Sequence, residues 1–137
     1  MSTLLVLSFL QLAKDDLAVS KALRDSFPRH SAFHLEQAAE KLVKAVLAAE
    51  GHNLNDKKFH HHNIARMIND GLLDSHEWRA DLMAFDEFTS YATLTRYPST
   101  GFLPTGPENA ALNDGIEKVA ALIEPIEEWC NEKLGQK

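Results

Sequence analysis

One segment constrains the fold more than any other: Ala32-Phe-His-Leu-Glu-Gln-Ala-Ala-Glu-Lys-Leu-Val-Lys-Ala-Val-Leu-Ala-Ala-Glu-Gly51. Leu35, Ala39, Leu42, Val46 and Ala49 recur at the spacing that lines one face of an α-helix. Glu36, Gln37, Glu40, Lys41 and Lys44 fall on the other side, where solvent is expected, and Glu40 and Lys44 are ordered for an i,i+4 ion pair. Gly51 stands where a helix C-terminus wants a left-handed residue. The alanines admit a partner helix at close range. The segment is therefore expected to be one long amphipathic helix inside a helical assembly.

The chain has 137 residues, enough for a single domain spanning 1–137 and one core. Its net charge of −6 with histidines neutral argues against indiscriminate nucleic-acid binding, because phosphate backbones attract positive surface. A local basic pocket for a small anion or one RNA end stays compatible with that charge. Cys130 is the only cysteine, so no intramolecular disulfide forms, which fits a reducing compartment. The apolar run Leu4 to Leu12 has no basic residue before it and no Ala-x-Ala site after it. It stops at Lys14-Asp15-Asp16, short of the roughly 20 residues a membrane span requires. We read it as the start of a core helix in a cytoplasmic protein, with no membrane association. The run Leu4 to Leu7 is more continuous than one core face needs, which favours burial in a dimer.

The remaining pattern is also helical. A first helix is expected from about Leu4 to Asp25, with Leu10, Ala13 and Leu17 on one face and Ala18, Ala22 and Leu23 extending it. Phe27-Pro28 ends it, and Pro28 suits the first turn of the next helix. His52 to His62 is a polar loop with turn formers Asn53, Asn55 and Asp56. A short helix runs from Asn63 to about Asp70 and stops at Gly71. Asp74-Ser-His-Glu77 has the form of a capping box and opens a helix from about Ser75 to Thr95, striped by Trp78, Leu82, Phe85, Thr89 and Ala92. Thr105-Gly-Pro-Glu108 is a second such box, before a last helix carrying Ile116, Val119, Ile123, Ile126 and Cys130. Pro125 inside that helix is expected to kink or split it. The fold class that follows is all-α: an antiparallel up-and-down bundle of four long helices with one short extra helix.

Three stretches, Ala32–Leu47, His62-Asn63-Ile64 and the helix-ending Arg96-Tyr97-Pro98, occur in an order and at separations that resemble the HEPN domain family, named for nucleotide binding in higher eukaryotes and prokaryotes. The resemblance implies a usually dimeric helical bundle, often encoded beside a small nucleotidyltransferase in a toxin–antitoxin-type pair. Some members are ribonuclease toxins and others are noncatalytic binding modules. The ribonucleases carry Arg-x(4–6)-His at the end of the fourth helix. Here the matching arginine is Arg96, and Tyr97-Pro-Ser-Thr-Gly-Phe-Leu103 after it holds no histidine. Without an acid or base beside the reactive ribose, cleavage at that place lacks its proton-transfer group.

The resemblance and the chemistry together nominate Arg96, Tyr97, His62, Lys41 and Lys44 as a ligand-binding set. Arg96 offers a planar fork for phosphate, and Tyr97 a ring for stacking. The alternative for both is a helix C-terminal cap and packing under the proline loop. The Arg/His spacing recurs at Arg24–His30 and Arg29–His34, at the first interhelical link, which is the wrong place for the family. A ribonuclease using either displaced pair is the enzymatic alternative, and a purely structural interaction module is the third reading. No metal site or cofactor is expected. Adjacent loop residues His60-His61-His62 point in different directions, His30 and His34 lack the glutamate of the zinc-protease motif, and no Glu-x-x-His marks a di-iron bundle. Trp78, Phe85, Phe88 and Tyr91 read as core or dimer interface, and Cys130 as an inert buried thiol.

Overall fold

The structure, a computed structural model, describes residues 3–94 and 107–135. Among them there are helices and no strands, as the hydrophobic periodicity predicts. Helix α1 spans Thr3–Leu23, α2 Pro28–Ala49, α3 Ile64–Gly71, α4 Arg79–Met83, α5 Tyr91–Leu94 and α6 Asn109–Gly135. No helix among the described residues is long and apolar enough to cross a membrane.

The two termini of α2 form as their residues dictate. Pro28 occupies the first turn, where its missing N–H is no loss. At the other end Gly51 has φ +95°, and the amides of Gly51 and His52 donate to the carbonyls of Ala48 and Leu47 at 3.0 and 3.1 Å. This is the paired bonding of a Schellman stop.

Helix α2 is the centre of the bundle. Leu35, Ala39, Leu42, Val46 and Ala49 are all fully buried. The polar side is not the solvated face expected of it, because Glu36 and Glu40 are buried as well. The reason is geometric. Glu36 follows Ala32 by four residues and precedes Val43 by seven, so it shares a side with two core residues. Glu40 lies one turn on. The expected Glu40–Lys44 pair is present at 3.8 Å.

Helix α1 packs along α2 through Val6, Leu10, Ala13, Leu17 and Ser20. Ala18 and Ala22, expected to extend this face, are exposed, and Leu23 is only half-buried. The face is completed by serine. Ser20 Oγ donates to the Ser31 carbonyl at 2.8 Å, and Ser31 Oγ to the Ser20 carbonyl at 2.7 Å. The reciprocal pair lets two backbones approach without an orphaned polar group. Ser20 meeting Ser31, and Asp16 meeting His34 and Lys41, show that α1 and α2 run antiparallel. Lys14–Glu127 and Arg24–Asn113 contacts set α6 antiparallel to α1 in the same way.

Helix α6 is one continuous helix with Pro125 inside it, so the proline does not split it. Ile116, Val119, Ile123, Ile126 and Cys130 are its buried line, and burial pushes the Cys130 thiol up to about 12. Its far end is anchored at Glu50, which takes Lys133 at 2.6 Å and His76 at 3.0 Å. Burial alone would raise the Glu50 carboxyl, but those two partners hold it below its ordinary range.

The helix expected from Ser75 to Thr95 is instead a chain of short segments: α4, a 3₁₀ stretch Ala84–Phe88, and α5. Asp74 is not the N-cap, since the cap position falls at Trp78. The interrupted stretch serves a neighbouring element. Asp86 and Thr89 turn their side chains to the start of α3, accepting from the amides of Ala65 and Ile64 at 3.2 Å each. They supply acceptors that the first turn of α3 otherwise lacks. The predicted stripe still faces inward at Leu82, Phe85 and Ala92. Phe88 is buried beside them, and Tyr91 packs on the core from a half-buried position.

Candidate functional site

The site grows from the buried polar side of α2. Glu36, Glu40 and Lys44 succeed one another by single turns, and Gln37 stands between the carboxyls. Gln37 Nε2 donates to Glu36 Oε1 at 2.8 Å and to Glu40 Oε2 at 3.1 Å. The loop before α3 delivers the fourth partner. Asn63 caps α3 by accepting from the Arg66 amide at 3.0 Å, and this fixes the preceding residue. His62 Nδ1 then lies 3.0 and 3.1 Å from the two Glu40 oxygens, so its N–H bonds the carboxylate from a side chain 58% exposed.

Glu36 is the anomaly of the group. It is 0% exposed, and its Oε2 is buried without a hydrogen-bond partner. An ionised carboxylate is costly there. Burial first, then hydrogen bonding to Glu40 and the charge of Glu40, push its carboxyl up to about 10, against smaller opposing pulls from Gln37 and Lys44. Glu36 is therefore protonated at neutral pH, which spares the fold an uncompensated buried charge. The pair shares one negative charge, flanked by His62 and Lys44. One ligand atom from each of Glu36, Glu40 and His62 lies within 4.8 Å of the others.

A second polar cluster sits on the α1–α2 seam. Asp16, from α1, accepts from His34 Nδ1 at 3.0 Å and pairs with Lys41 on α2. Lys41 is thus turned to α1, whereas Lys44 is turned to Glu40. Of the predicted binding set, His62 and Lys44 meet at one carboxylate, and Lys41 is held by another. Arg96 and Tyr97 lie outside the described residues, as do Pro98 and the capping residue Thr105. Of the displaced Arg/His pairs, Arg24 is occupied by Asp25 and Asn113. His30 is exposed with its ring edge-on to Phe27.

Reasoning on the sequence missed the two residues that organise the site, Glu36 and Glu40, by reading them as solvated. The available signal was the four-residue step from Ala32 to Glu36.

Comparison with known proteins adds a family. The model of the HEPN domain matches residues 6–130, from the buried face of α1 to Cys130 on α6. No curated protein and no solved structure matches the chain. With the family model covering nearly the whole length, the chain belongs to the HEPN domain family.

Proposed function

We propose that this chain is a noncatalytic HEPN module that binds a nucleotide-like ligand as a homodimer, beside a nucleotidyltransferase partner in a toxin–antitoxin-type pair. The observation that carries the noncatalytic reading is the sequence after Arg96, where Tyr97 to Leu103 offers no histidine. The ligand's phosphate would be gripped by Arg96, His62 and Lys44 through charge-assisted hydrogen bonds, with Tyr97 stacking on the base. Lys41 joins only by giving up Asp16, as His62 and Lys44 do by giving up Glu40.

The test is a thermal-shift titration against a panel of nucleotides and short RNA ends. A saturating ligand should raise the melting temperature by several degrees, since ligand at about 100 times its Kd stabilises by about 2.7 kcal/mol. Arg96→Ala should abolish the rise. A ligand-induced rise that persists unchanged in Arg96→Ala would move the site elsewhere.

The dimer is supported by the outer side of α1, where Leu4, Leu5, Leu7, Leu12 and Val19 are exposed. Leu5, Leu12 and Val19 repeat at intervals of seven, one stripe along a helix. Sedimentation equilibrium should return twice the 15.3 kDa of one chain, and Leu5→Lys with Leu12→Lys should return it to one. A wild-type monomer at micromolar concentration would contradict the assignment.

One observation favours the ribonuclease alternative. Asp16 orients His34 as a carboxylate orients a general base, with Arg29 five positions before it. That reading requires toxicity on overexpression, relieved by His34→Ala.

A further inference from the structure

The geometry points to Glu36, Glu40 and His62 as a binding site for a first-row divalent transition-metal cation, with zinc as its first occupant. Two independent elements supply the donors: adjacent turns of α2 give the carboxylates, and the loop before α3 gives the imidazole. The observation that takes this beyond an acidic cluster is Glu36 Oε2. It belongs to a fully buried side chain, meets no donor from the protein, and is one turn from the oxygen that His62 already touches.

The dimensions suit such an ion. Tetrahedral zinc at ~2.0–2.1 Å from each ligand holds its donor atoms about 3.3 Å apart. His62 Nδ1 and Glu40 Oε2 are already 3.0 Å apart, and all three donors lie within 4.8 Å, so a side-chain adjustment closes the set. Imidazole with carboxylate favours zinc, manganese, iron or cobalt over magnesium, which prefers oxygen and retained water. Coordination displaces the Glu36 proton, which leaves to solvent, and exchanges the proton on His62 Nδ1 through solvent for one on Nε2, so one proton is released net. Gln37 Nε2, bonded to both carboxyls, fixes their orientation as a supporting residue does around a metal. Three protein donors leave the fourth position on the exposed side of His62, open to water or to an anionic oxygen. The inference shares His62 with the nucleotide reading but neither Arg96 nor Tyr97, so Arg96→Ala, which should abolish nucleotide binding, should leave metal uptake unchanged.

The test is calorimetric titration of the chelator-treated full chain with zinc chloride, repeated with cobalt(II) for its visible absorption. One equivalent should bind. Glu36→Gln, which is isosteric, and His62→Ala, at an exposed position, should each weaken binding about tenfold or more, while His60→Ala on the neighbouring exposed histidine leaves it unchanged. Absence of saturable uptake by the wild type overturns the site, and so does uptake undiminished in either ligand variant.

Discussion

Phe88→Ala is expected to lower the stability of the fold by about 3–5 kcal/mol, the range for removing a fully buried phenyl ring. The domain's total is on the order of 5–15 kcal/mol, so this one change removes much of it. Phe88 is 1% exposed and stacks between Phe85 and Tyr91, with ring centroids 5.9 and 6.0 Å away. It also lies against α6 where that helix carries Gly115. A Cβ built at Gly115 would sit 2.9 Å from Phe88 Cε1 and 2.7 Å from Leu35 Cδ2, so any side chain there forces both neighbours to shift. Glycine is required there for close approach rather than for an unusual φ. The same contact predicts a partial rescue. Gly115→Leu alone should overpack by about 1–3 kcal/mol, yet in Phe88→Ala it enters the vacated space, so the double variant should be more stable than the sum of the single effects. Chemical denaturation of the four proteins measures this directly, and strict additivity would contradict the packing described.

The second large effect belongs to Glu36. Its folded-state carboxyl is raised to about 10 from an ordinary 4.5. Between those values the folded chain holds a proton that the unfolded chain has released. The stabilising contribution is therefore complete below about pH 4.5 and declines as pH rises toward 10, by up to about 1.4 kcal/mol per pH unit. Glu36→Gln keeps the shape, can still donate to Glu40, and does not titrate. It should be close to wild type at pH 5 and more stable at pH 9, by about 2–4 kcal/mol. Urea melts across that interval check it. Parallel stability profiles for the two proteins would show that Glu36 does not hold its proton.

Much of this was legible in the residues because local rules and tertiary packing agreed. Pro28, Gly51 and the Leu35-to-Ala49 line required only helix geometry and were found where expected. The Ile116-to-Cys130 line on α6 followed for the same reason. The failures share a different cause. Glu36 and Glu40 were misread because residue type outweighed position. A glutamate is assigned to solvent unless its partner is seen, and the partner of Glu40, His62, stands 22 residues further along in a loop. The break at Ala84–Phe88 has no proline or glycine to announce it, and the bonds that Asp86 and Thr89 make with α3 are long-range. Lys41 and Lys44 look equivalent on a helical wheel, yet Asp16 on another helix separates them. Pro125 marks the opposite case, a strong local signal that does not split α6.

The central claim is the proposal that a nucleotide-like ligand is held by Lys44 and His62 together with Arg96 and Tyr97. The most direct measurement is a two-dimensional amide NMR titration of the assigned protein with the nucleotide that gives the largest thermal shift. The account predicts saturable shifts confined to the neighbourhood of Lys44, His62, Arg96 and Tyr97. Saturable shifts centred instead on His30 and His34, or no shift at millimolar ligand, would contradict it.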